Sequence, residues 1–264
     1  MPRQFHIEVC IDHPSHAPLA ESAGATRLEI NSALRLDGLT PTLGACRWIK
    51  AHCTLPLIAM LRPRDSFFLE PVEQEIALED GRLLLDAGVD GLAYGALDRH
   101  GELNVEYMQQ IADLCGQREF VCHRAFDRLK DQQRGLEQLI DCGATRVLTS
   151  GGAATAELGL ARLAELHAAA RGRIEILPGS GIHSGNARRI AHRSGCHQLH
   201  GSFRVSPIAS LSASLSASLS ASPVASPVAS LSASPVASPR NEQEAWLTEI
   251  TAVRRALEDL TSST

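Results

Sequence analysis

The sequence lacks the features that mark several large classes of protein. Its seven cysteines are an odd number, irregularly spaced and without a Cys-x-x-Cys pair, which argues against a disulfide framework and a zinc ribbon. The formal net charge of -5 argues against a basic nucleic-acid-binding surface and gives no sign of membrane-surface binding. No apolar run approaches the about 18–20 residues of a membrane span, and Met1 to Glu8 shows no signal-peptide pattern. We therefore expect a cytoplasmic protein that binds neither nucleic acid nor membrane.

What the sequence does contain is a regular alternation of short β-rich runs and helix-length amphipathic stretches. A chain of 264 residues with 44% hydrophobic residues suits one (β/α)8 barrel, which takes about 250 residues. An open doubly wound sheet is the alternative, but no Gly-x-Gly-x-x-Gly follows the first run. Eight alternating units favour a closed α/β barrel, the TIM barrel. The predicted strands are 5–11, 26–30, 57–61, 91–96, 119–123, 146–149, 174–178 and 198–200. The predicted helices are 14–23, 41–53, 72–87, 104–115, 131–142, 154–170, 184–194 and 241–261.

One segment interrupts this pattern. Residues 205–239 consist almost only of Ser, Ala, Pro, Leu and Val in short repeats, without a charged or aromatic side chain. Repeated prolines exclude a helix or a central strand. We interpret 1–264 as a single barrel domain, and 205–239 as a disordered low-complexity insertion between strand 8 and helix 8.

The residues that point into the barrel follow from the alternation along each strand. In strand 1 the apolar positions suit the helix side, which leaves Glu8 and Cys10 pointing inward. In strand 2 the same argument leaves Arg27, Glu29 and Asn31 inward. The direction of strand 5 is ambiguous, because the residues on both of its sides are apolar.

Polar residues gather at the predicted carboxyl ends of the strands, where barrels carry their functional groups. Glu8, Glu29 and His123 are candidates for proton transfer, and Arg62 and Arg124 for holding an anion. Asp127 follows in the same stretch as His123. The alternative is a structural network in which Glu8 and Glu29 are neutralised by Arg62 and Arg124.

Glycine–serine turns end strands 6, 7 and 8, and the last two lie where such barrels bind phosphate. The candidate ligand-binding residues are Ser150, Gly151, Gly179, Gly181, His200 and Ser202. His123 and His200 also suit a general acid or base, or, with Glu8, a two-His, one-carboxylate metal site. Cys10 is the one cysteine firmly predicted to lie in the lumen, with Cys122 as a second possibility, so Cys10 is the candidate ligand for copper(I), a soft ion.

The chain resembles the CutC family, often called copper homeostasis proteins, over most of residues 5–203. The match fails after Ser202, where the repeat replaces the usual loop of the family. The matching stretches are Ile7-Glu8-Val9-Cys10, Gly24-Ala25-Thr26-Arg27-Leu28-Glu29-Ile30, Asp37-Gly38-Leu39-Thr40-Pro41-Thr42-Leu43-Gly44, Arg62-Pro63-Arg64, His123-Arg124-Ala125-Phe126-Asp127 and Arg146-Val147-Leu148-Thr149-Ser150-Gly151.

The resemblance implies a (β/α)8 barrel, a cytoplasmic location, a role in copper homeostasis and copper(I) as a bound ion. Cys10 matches a cysteine of the first family motif, whereas a second cysteine often found in the family is Asn31 here. His123, Arg124 and Asp127 match the family's His-Arg-Ala-Phe-Asp motif, and Arg62 matches its Arg-Pro-Arg motif.

Two functions therefore stay open from the sequence. The first is a copper-homeostasis protein that binds copper(I). The second is a TIM-barrel lyase, isomerase or hydrolase for a small anionic or phosphorylated molecule bound at the carboxyl ends of the strands. A third interpretation, a scaffold without activity, requires fully paired charges and no open cavity. A homo-oligomer also stays open, since the sequence assigns no interface.

Overall fold

The computed structural model describes residues 5–204 and 239–261, and within them eight β-strands alternate with eight α-helices. The strands are β1 (His6–Ile11), β2 (Arg27–Ile30), β3 (Leu57–Met60), β4 (Gly91–Tyr94), β5 (Glu119–Cys122), β6 (Arg146–Thr149), β7 (Glu175–Pro178) and β8 (Gln198–Gly201). The helices are α1 (His16–Ser22), α2 (Leu43–His52), α3 (Pro71–Asp86), α4 (Val105–Cys115), α5 (Gln132–Asp141), α6 (Leu160–Ala170), α7 (Ser184–Ser194) and α8 (Pro239–Thr261). Two 3₁₀ turns, Leu34–Leu36 and Arg124–Arg128, follow β2 and β5.

The strands form one parallel sheet that nearly closes on itself. Its hydrogen-bonded order is β7-β6-β5-β4-β3-β2-β1-β8, so β8 pairs with β1. A side-chain hydrogen bond joins the two ends of this order, from Gln198 Nε2 on β8 to Glu175 Oε2 on β7, at 3.2 Å. The (β/α)8 barrel predicted from the alternation is confirmed. The predicted insertion at 205–239 lies outside the described residues except for Pro239, which begins α8.

The core has two apolar layers with different compositions. The large outer layer lies between the strands and the helices and includes six of the seven cysteines, Cys122 among them. The inner layer fills one side of the lumen and comprises Ile58, Met60, Ala93, Val121, Leu148 and Leu177, all from β3 to β7. Strands β1, β2 and β8 instead direct buried charged and polar side chains inward, and Arg146 of β6, on the same strand face as Leu148, is buried with them.

The inner layer also determines the direction of β5, which the sequence left ambiguous. Val121 belongs to the lumen, whereas Phe120 and Cys122 pack in the outer layer. Alternation then directs His123 inward. The suggestion that Cys122 lies in the lumen is therefore wrong.

Helix α6 begins six residues later than the sequence pattern predicts. Residues 154–159 form bends and turns, and two of their backbone groups bond to Ser180 in the loop after β7. The Ala156 N–H donates to the Ser180 carbonyl at 3.0 Å, and the Ser180 hydroxyl donates to the Ala154 carbonyl at 3.0 Å. This loop thereby stays beside the carboxyl end of β7.

Helix α8 packs against α7 and α1 on the outside of the barrel. Its Ile250, Val253 and Leu257 are fully buried, and Trp246 donates its indole N–H to the Ser202 carbonyl at 2.7 Å. This bond ties the helix to the residue that follows β8. Among the described helices, none combines the length and the hydropathy needed to cross a bilayer.

Candidate functional site

A cavity of about 710 Å³ opens at the carboxyl ends of the strands. It is lined by residues from β1, β2, β3, β6 and β8 and by the loops that follow the strands, His123 among them. The predicted site residues on its wall are Cys10, Glu29, Arg62, His123, Arg124, Asp127, Gly181, His200 and Ser202. The predicted residues that do not line it are Glu8, Ser150, Gly151 and Gly179.

Three potential metal ligands meet at the floor of this cavity. The parallel register sets Cys10 on β1 beside Glu29 on β2, and His200 extends from β8 on the other side of β1. One ligand atom from each residue lies within 4.8 Å of the others, and all three side chains are buried. The second oxygen of Glu29, Oε2, is buried without a hydrogen-bond partner in the structure. A thiol, an imidazole and a carboxylate with a spare acceptor form a donor set that fits a metal ion.

Glu8 lies beneath this cluster and orients it. Its Oε1 lies 2.7 Å from His200 Nδ1, so that nitrogen carries the proton and Nε2 faces Glu29, 4.0 Å away. Its Oε2 accepts from Arg27 Nε, and Arg27 Nη2 donates to Gln198 Oε1 at 2.8 Å. A carboxylate that holds the far nitrogen of a histidine is the usual outer partner of a metal-bound imidazole. The expected pairing of Glu8 and Glu29 with Arg62 and Arg124 is wrong, because the inward-facing Arg27 and His200 are nearer.

Asn31 connects two of the three candidate ligands. Its amide nitrogen donates to Cys10 Sγ at 3.2 Å and to Glu29 Oε1 at 2.9 Å. Asn31 occupies the position at which the family often has a second cysteine. It therefore positions the ligands and supplies no second thiolate.

Burial and neighbouring charges shift the ionisation of these groups in different directions. Burial raises the pKa of the Cys10 thiol well above its usual value, and the Glu29 carboxylate adds to the effect. Burial also raises the pKa of Glu29, although His200 opposes it. Burial disfavours ionised Glu8 as well, but Arg27 and His200 outweigh it and keep the pKa of Glu8 well below normal.

The pKa of His200 is raised, whereas burial lowers the pKa of an ordinary buried histidine. Burial alone would lower its pKa, yet the carboxylates of Glu29 and Glu8 raise it. In the metal-free protein the ring is therefore stabilised as an imidazolium between two acidic side chains.

The predicted metal site of His123, His200 and Glu8 is not formed. Among the described residues, the potential ligand atoms that lie within 4.8 Å of one another belong to Cys10, Glu29 and His200. Glu8 uses both oxygens on Arg27 and His200 and does not reach the cavity wall. For the same reason Glu8 does not serve as a proton-transfer group to a molecule in the cavity.

The guanidinium of Arg62 bonds mainly to the loops after β2 and β3. Its guanidinium donates to the carbonyls of Leu36 at 2.6 Å and Gly38 at 3.0 Å, and to the carboxylate of Asp65 at 2.5 Å. The side chain is only 5% exposed. These bonds give Arg62 a role in fixing the loops after β2 and β3, and anion binding by Arg62 stays a prediction.

The turn after β6 binds a carboxylate of the chain itself. Oδ1 of Asp127 accepts from the Thr149 hydroxyl at 2.5 Å and from the N–H groups of Ser150 and Gly152 at 3.1 and 3.0 Å. The Gly151 N–H donates to Thr149 Oγ1 at 2.9 Å. These donors are therefore engaged internally and hold the start of the loop after β6 against the loop after β5.

The amino end of α7 is occupied in a similar way. Glu249 from α8 accepts from the Ser184 N–H and, at 3.0 Å, from the Ser184 hydroxyl. His183 Nδ1 accepts the Gly185 N–H at 3.2 Å. A phosphate at this helix end, as the Gly179 and Gly181 turn suggested, would meet the negative charge of Glu249.

Sequence reasoning missed several charged residues around the opening. Arg35, Arg128 and Arg204 line the cavity from the loops after β2, β5 and β8, and Phe67 lines it from the loop after β3. Arg204 pairs with Asp12, whereas the structure records no side-chain hydrogen bond or ion pair of Arg35 or Arg128 within residues 5–204 and 239–261. Their position in loops that follow barrel strands was the available signal.

Comparison of the whole sequence with known proteins gives concordant matches. A sequence model of the CutC family matches residues 5–205. A CutC family protein of Treponema denticola is 42% identical over 199 residues, which cover 75% of this chain and 81% of that protein. The human copper homeostasis protein cutC homolog is 38% identical over 201 residues, covering 76% of this chain and 74% of the human protein.

A solved structure agrees with the sequence matches. The crystal structure of a CutC protein from Streptococcus agalactiae superposes with a TM-score of 0.70 at 26% identity, covering 75% of this chain and 99% of that protein.

Proposed function

This chain belongs to the CutC family, and on that premise we propose that it acts in copper homeostasis by binding one copper(I) ion through Cys10, Glu29 and His200. The observation that carries the proposal is the convergence of these three buried ligand atoms within 4.8 Å. The human and mouse relatives are named copper homeostasis proteins. The seven cysteines are all unpaired thiols, which supports a reducing, cytoplasmic location.

The surroundings of the cluster support a metal ion more than a purely structural network. The Glu29 Oε2 atom has no partner, and an unpaired buried acceptor is costly unless a ligand satisfies it. The Glu8 carboxylate fixes His200 with Nε2 toward Glu29, an orientation suited to ligation. The thioether of Met60 lines the same cavity and is a soft donor of the kind copper(I) prefers.

Binding requires the Cys10 thiol to lose its proton. Copper(I) would bond to the Cys10 thiolate and to His200 Nε2, so the thiol proton and the Nε2 proton of the imidazolium would both leave to solvent, as protons do when metals bind to protein ligands. Burial and Glu29 raise the pKa of Cys10, so in the absence of metal the thiol remains protonated at neutral pH. The site would therefore hold an unreactive thiol until the ion arrives.

An anaerobic titration of copper(I) against a competing chelator tests this proposal. We expect one-to-one binding that weakens by roughly a hundredfold or more in Cys10→Ser, beyond the loss typical of outer-shell partners. Cys122→Ser is the matched control, since Cys122 is also buried but packs in the outer apolar layer. Weak binding by the unaltered protein, or tight binding that survives Cys10→Ser, would contradict the proposal.

A second candidate function is binding and conversion of a small anionic or phosphorylated molecule in the same cavity, as by a lyase, isomerase or hydrolase. The specific observation is the cavity wall, which carries five arginines against three carboxylates. Glu29, whose pKa burial raises, is the group suited to proton transfer.

Thermal unfolding with a panel of phosphorylated and carboxylated metabolites tests this second function. A ligand present at about 100 times its Kd stabilises the folded state by about 2.7 kcal/mol, so its binding raises the Tm. Arg128→Gln should reduce the rise, and Arg188→Gln on the outer face of α7 should not. If no compound raises the Tm, this candidate fails.

A further inference from the structure

The ring of His123 carries one fixed, unpartnered hydrogen-bond donor in the wall of the cavity. The side chain follows β5, lines the cavity and is only 2% exposed. Its Nδ1 accepts the backbone N–H of Ala125 at 3.2 Å. A neutral imidazole whose Nδ1 accepts must carry its proton on Nε2, and Nε2 is buried without a partner in the structure.

His123 stays neutral at physiological pH. Burial and, after it, the neighbouring Arg62 guanidinium lower the pKa of His123 to about 3. A group with so low a pKa is a poor general base near neutrality. The proton-transfer role expected for His123 from the sequence is therefore replaced by that of a neutral donor.

The surrounding residues hold the ring in place. The Phe67 ring packs against it with centroids 5.2 Å apart, and the Arg62 guanidinium carbon lies 4.8 Å from the centre of Phe67. On the other side, a Cβ atom at Gly95 would lie 2.7 Å from two ring atoms of His123. The donor is thus oriented before any ligand binds, which lowers the entropy cost of using it.

Exposed arginines near the opening of the cavity indicate that the ligand carries an anionic group at the end away from His123. Arg35 and Arg128 are exposed, line the cavity and have no recorded side-chain partner within residues 5–204 and 239–261. Arg124 is engaged by Asp127 but remains 40% exposed. The N–H groups of Ser150 and Gly152 are satisfied by Asp127 and that of Ser184 by Glu249, so the exposed arginines supply the positive charge that attracts an anion.

We propose that the cavity selects a small organic anion that bears a carbonyl group, with the carbonyl oxygen accepting from His123 Nε2 and the anionic group held by Arg35 and Arg128. This inference rests on the second candidate function and specifies its ligand class and the specificity-determining residue. The anionic group is a carboxylate or a phosphate monoester. A buried donor left unpaired disfavours a ligand that lacks the acceptor, which is the basis of the selectivity.

Matched pairs of probes separate the two ends of the ligand. Pyruvate is compared with propionate, which lacks the carbonyl oxygen, and dihydroxyacetone phosphate with glycerol phosphate. Calorimetry on the purified chain, with and without one equivalent of copper(I), should give roughly tenfold tighter binding for the carbonyl member of at least one pair. The pair that shows the preference identifies the anionic group.

Variants then assign the preference to His123. His123→Phe should reduce the affinity ratio within the pair to about one, whereas Arg128→Gln should weaken both members and keep roughly the tenfold ratio. Thermal unfolding checks that each variant folds. Gly95→Ala provides a second perturbation of the same ring, and it should reduce the ratio while His123 remains present.

Nitrogen NMR with isotope-labelled histidine gives a readout that needs no variant. The unaltered protein should show His123 protonated at Nε2 only, and the Nε2–H resonance should move on addition of the preferred probe. A proton on Nδ1, or a preference that persists in His123→Phe, overturns the inference and leaves the second candidate function intact. Absence of binding by all four probes overturns both.

Discussion

Individual residues at the floor of the barrel show why a charged lumen is compatible with a stable fold. Glu8 is fully buried, yet each of its oxygens has a partner, Arg27 for one and His200 for the other. Gln198 joins Arg27 to Glu175 on β7. A buried charge is tolerated when its partners are close and correctly directed, and removal of one partner leaves the other uncompensated.

Loss of the Arg27 guanidinium should therefore lower the free energy of unfolding strongly. Arg27→Met removes the ion-pair partner of Glu8 in a fully buried setting, and we expect a loss of about 3–5 kcal/mol in the free energy of unfolding, measured in urea. Arg82→Met is the matched control, because Arg82 pairs with Glu79 on the surface of α3 and such pairs contribute about 0–1 kcal/mol. Equal losses in the two variants would argue that the Glu8 pair is not important for stability.

The raised pKa of His200 predicts a dependence of stability on pH. A raised folded pKa means that the stabilisation from protonated His200 is complete below the unfolded value of about 6.5 and is lost as the pH rises through the folded value. With metal removed by a chelator, the unaltered protein should exceed His200→Gln in stability by more at about pH 6 than at about pH 9.

Urea unfolding of both proteins at each pH measures this difference. His192→Gln, an exposed histidine of α7, is the control and should give a difference that changes little with pH. A His200→Gln deficit that grows with rising pH would mean that the ring is not held as an imidazolium.

At the scale of elements, glycines show where backbone and strands approach each other. A Cβ at Gly159, just before α6, would lie 1.9 Å from the Ser150 carbonyl oxygen, which is backbone and cannot move cheaply. Gly44 lies in the first turn of α2, exposed, with nothing within 4 Å of such a Cβ. The same substitution should therefore act in opposite directions at the two positions.

Gly159→Ala should destabilise the protein by about 1–3 kcal/mol, because the loop after β6 must shift. Gly44→Ala should stabilise it by about 0.4–1 kcal/mol, since alanine restricts the unfolded chain and favours the helix. Urea unfolding measures both. A neutral Gly159→Ala would show that the contact between Ser150 and Gly159 is not held.

Contacts between elements also explain why donors of the expected phosphate-binding turns bond to carboxylates of the chain itself. The sequence shows glycine and serine after β6 and β7, and these turns do present N–H donors. It does not show that Asp127 and Glu249 approach them from other loops and helices. That information depends on tertiary packing over separations of 25 and 65 residues, which local patterns do not encode.

At the scale of the whole molecule, the barrel and the inward positions of β1 and β2 were predictable from alternation alone. Glu8, Cys10, Arg27, Glu29 and Asn31 all face the lumen as predicted. Their pairing was not predictable, because it depends on the register between neighbouring strands, which sets Cys10 beside Glu29 and Glu8 beside His200. Register is a long-range property of the closed sheet.

The residues of the candidate site also differ in whether the sequence predicts them. Residues on strands were found by their periodicity, whereas Arg35 and Arg128 lie in 3₁₀ turns of three and five residues, which are too short to show a period. The roles available to Arg62 and His123 depend on partners that side-chain type does not reveal, namely the Leu36 carbonyl from another loop for Arg62 and the Ala125 N–H of the same turn for His123. Side-chain type alone indicates what a residue can do, and its neighbours determine which of those roles is available.

X-ray absorption at the copper edge reports directly whether Cys10, Glu29 and His200 bind copper(I) together. The protein loaded with one equivalent of copper(I) should show a single sulfur from Cys10 with nitrogen or oxygen neighbours, or two sulfurs if the Met60 thioether also binds. Met60→Leu distinguishes these cases, and Asn31→Cys should add one sulfur. Cys10→Ser should remove the thiolate signal. A spectrum with no sulfur neighbour, or one unchanged in Cys10→Ser, would contradict the account.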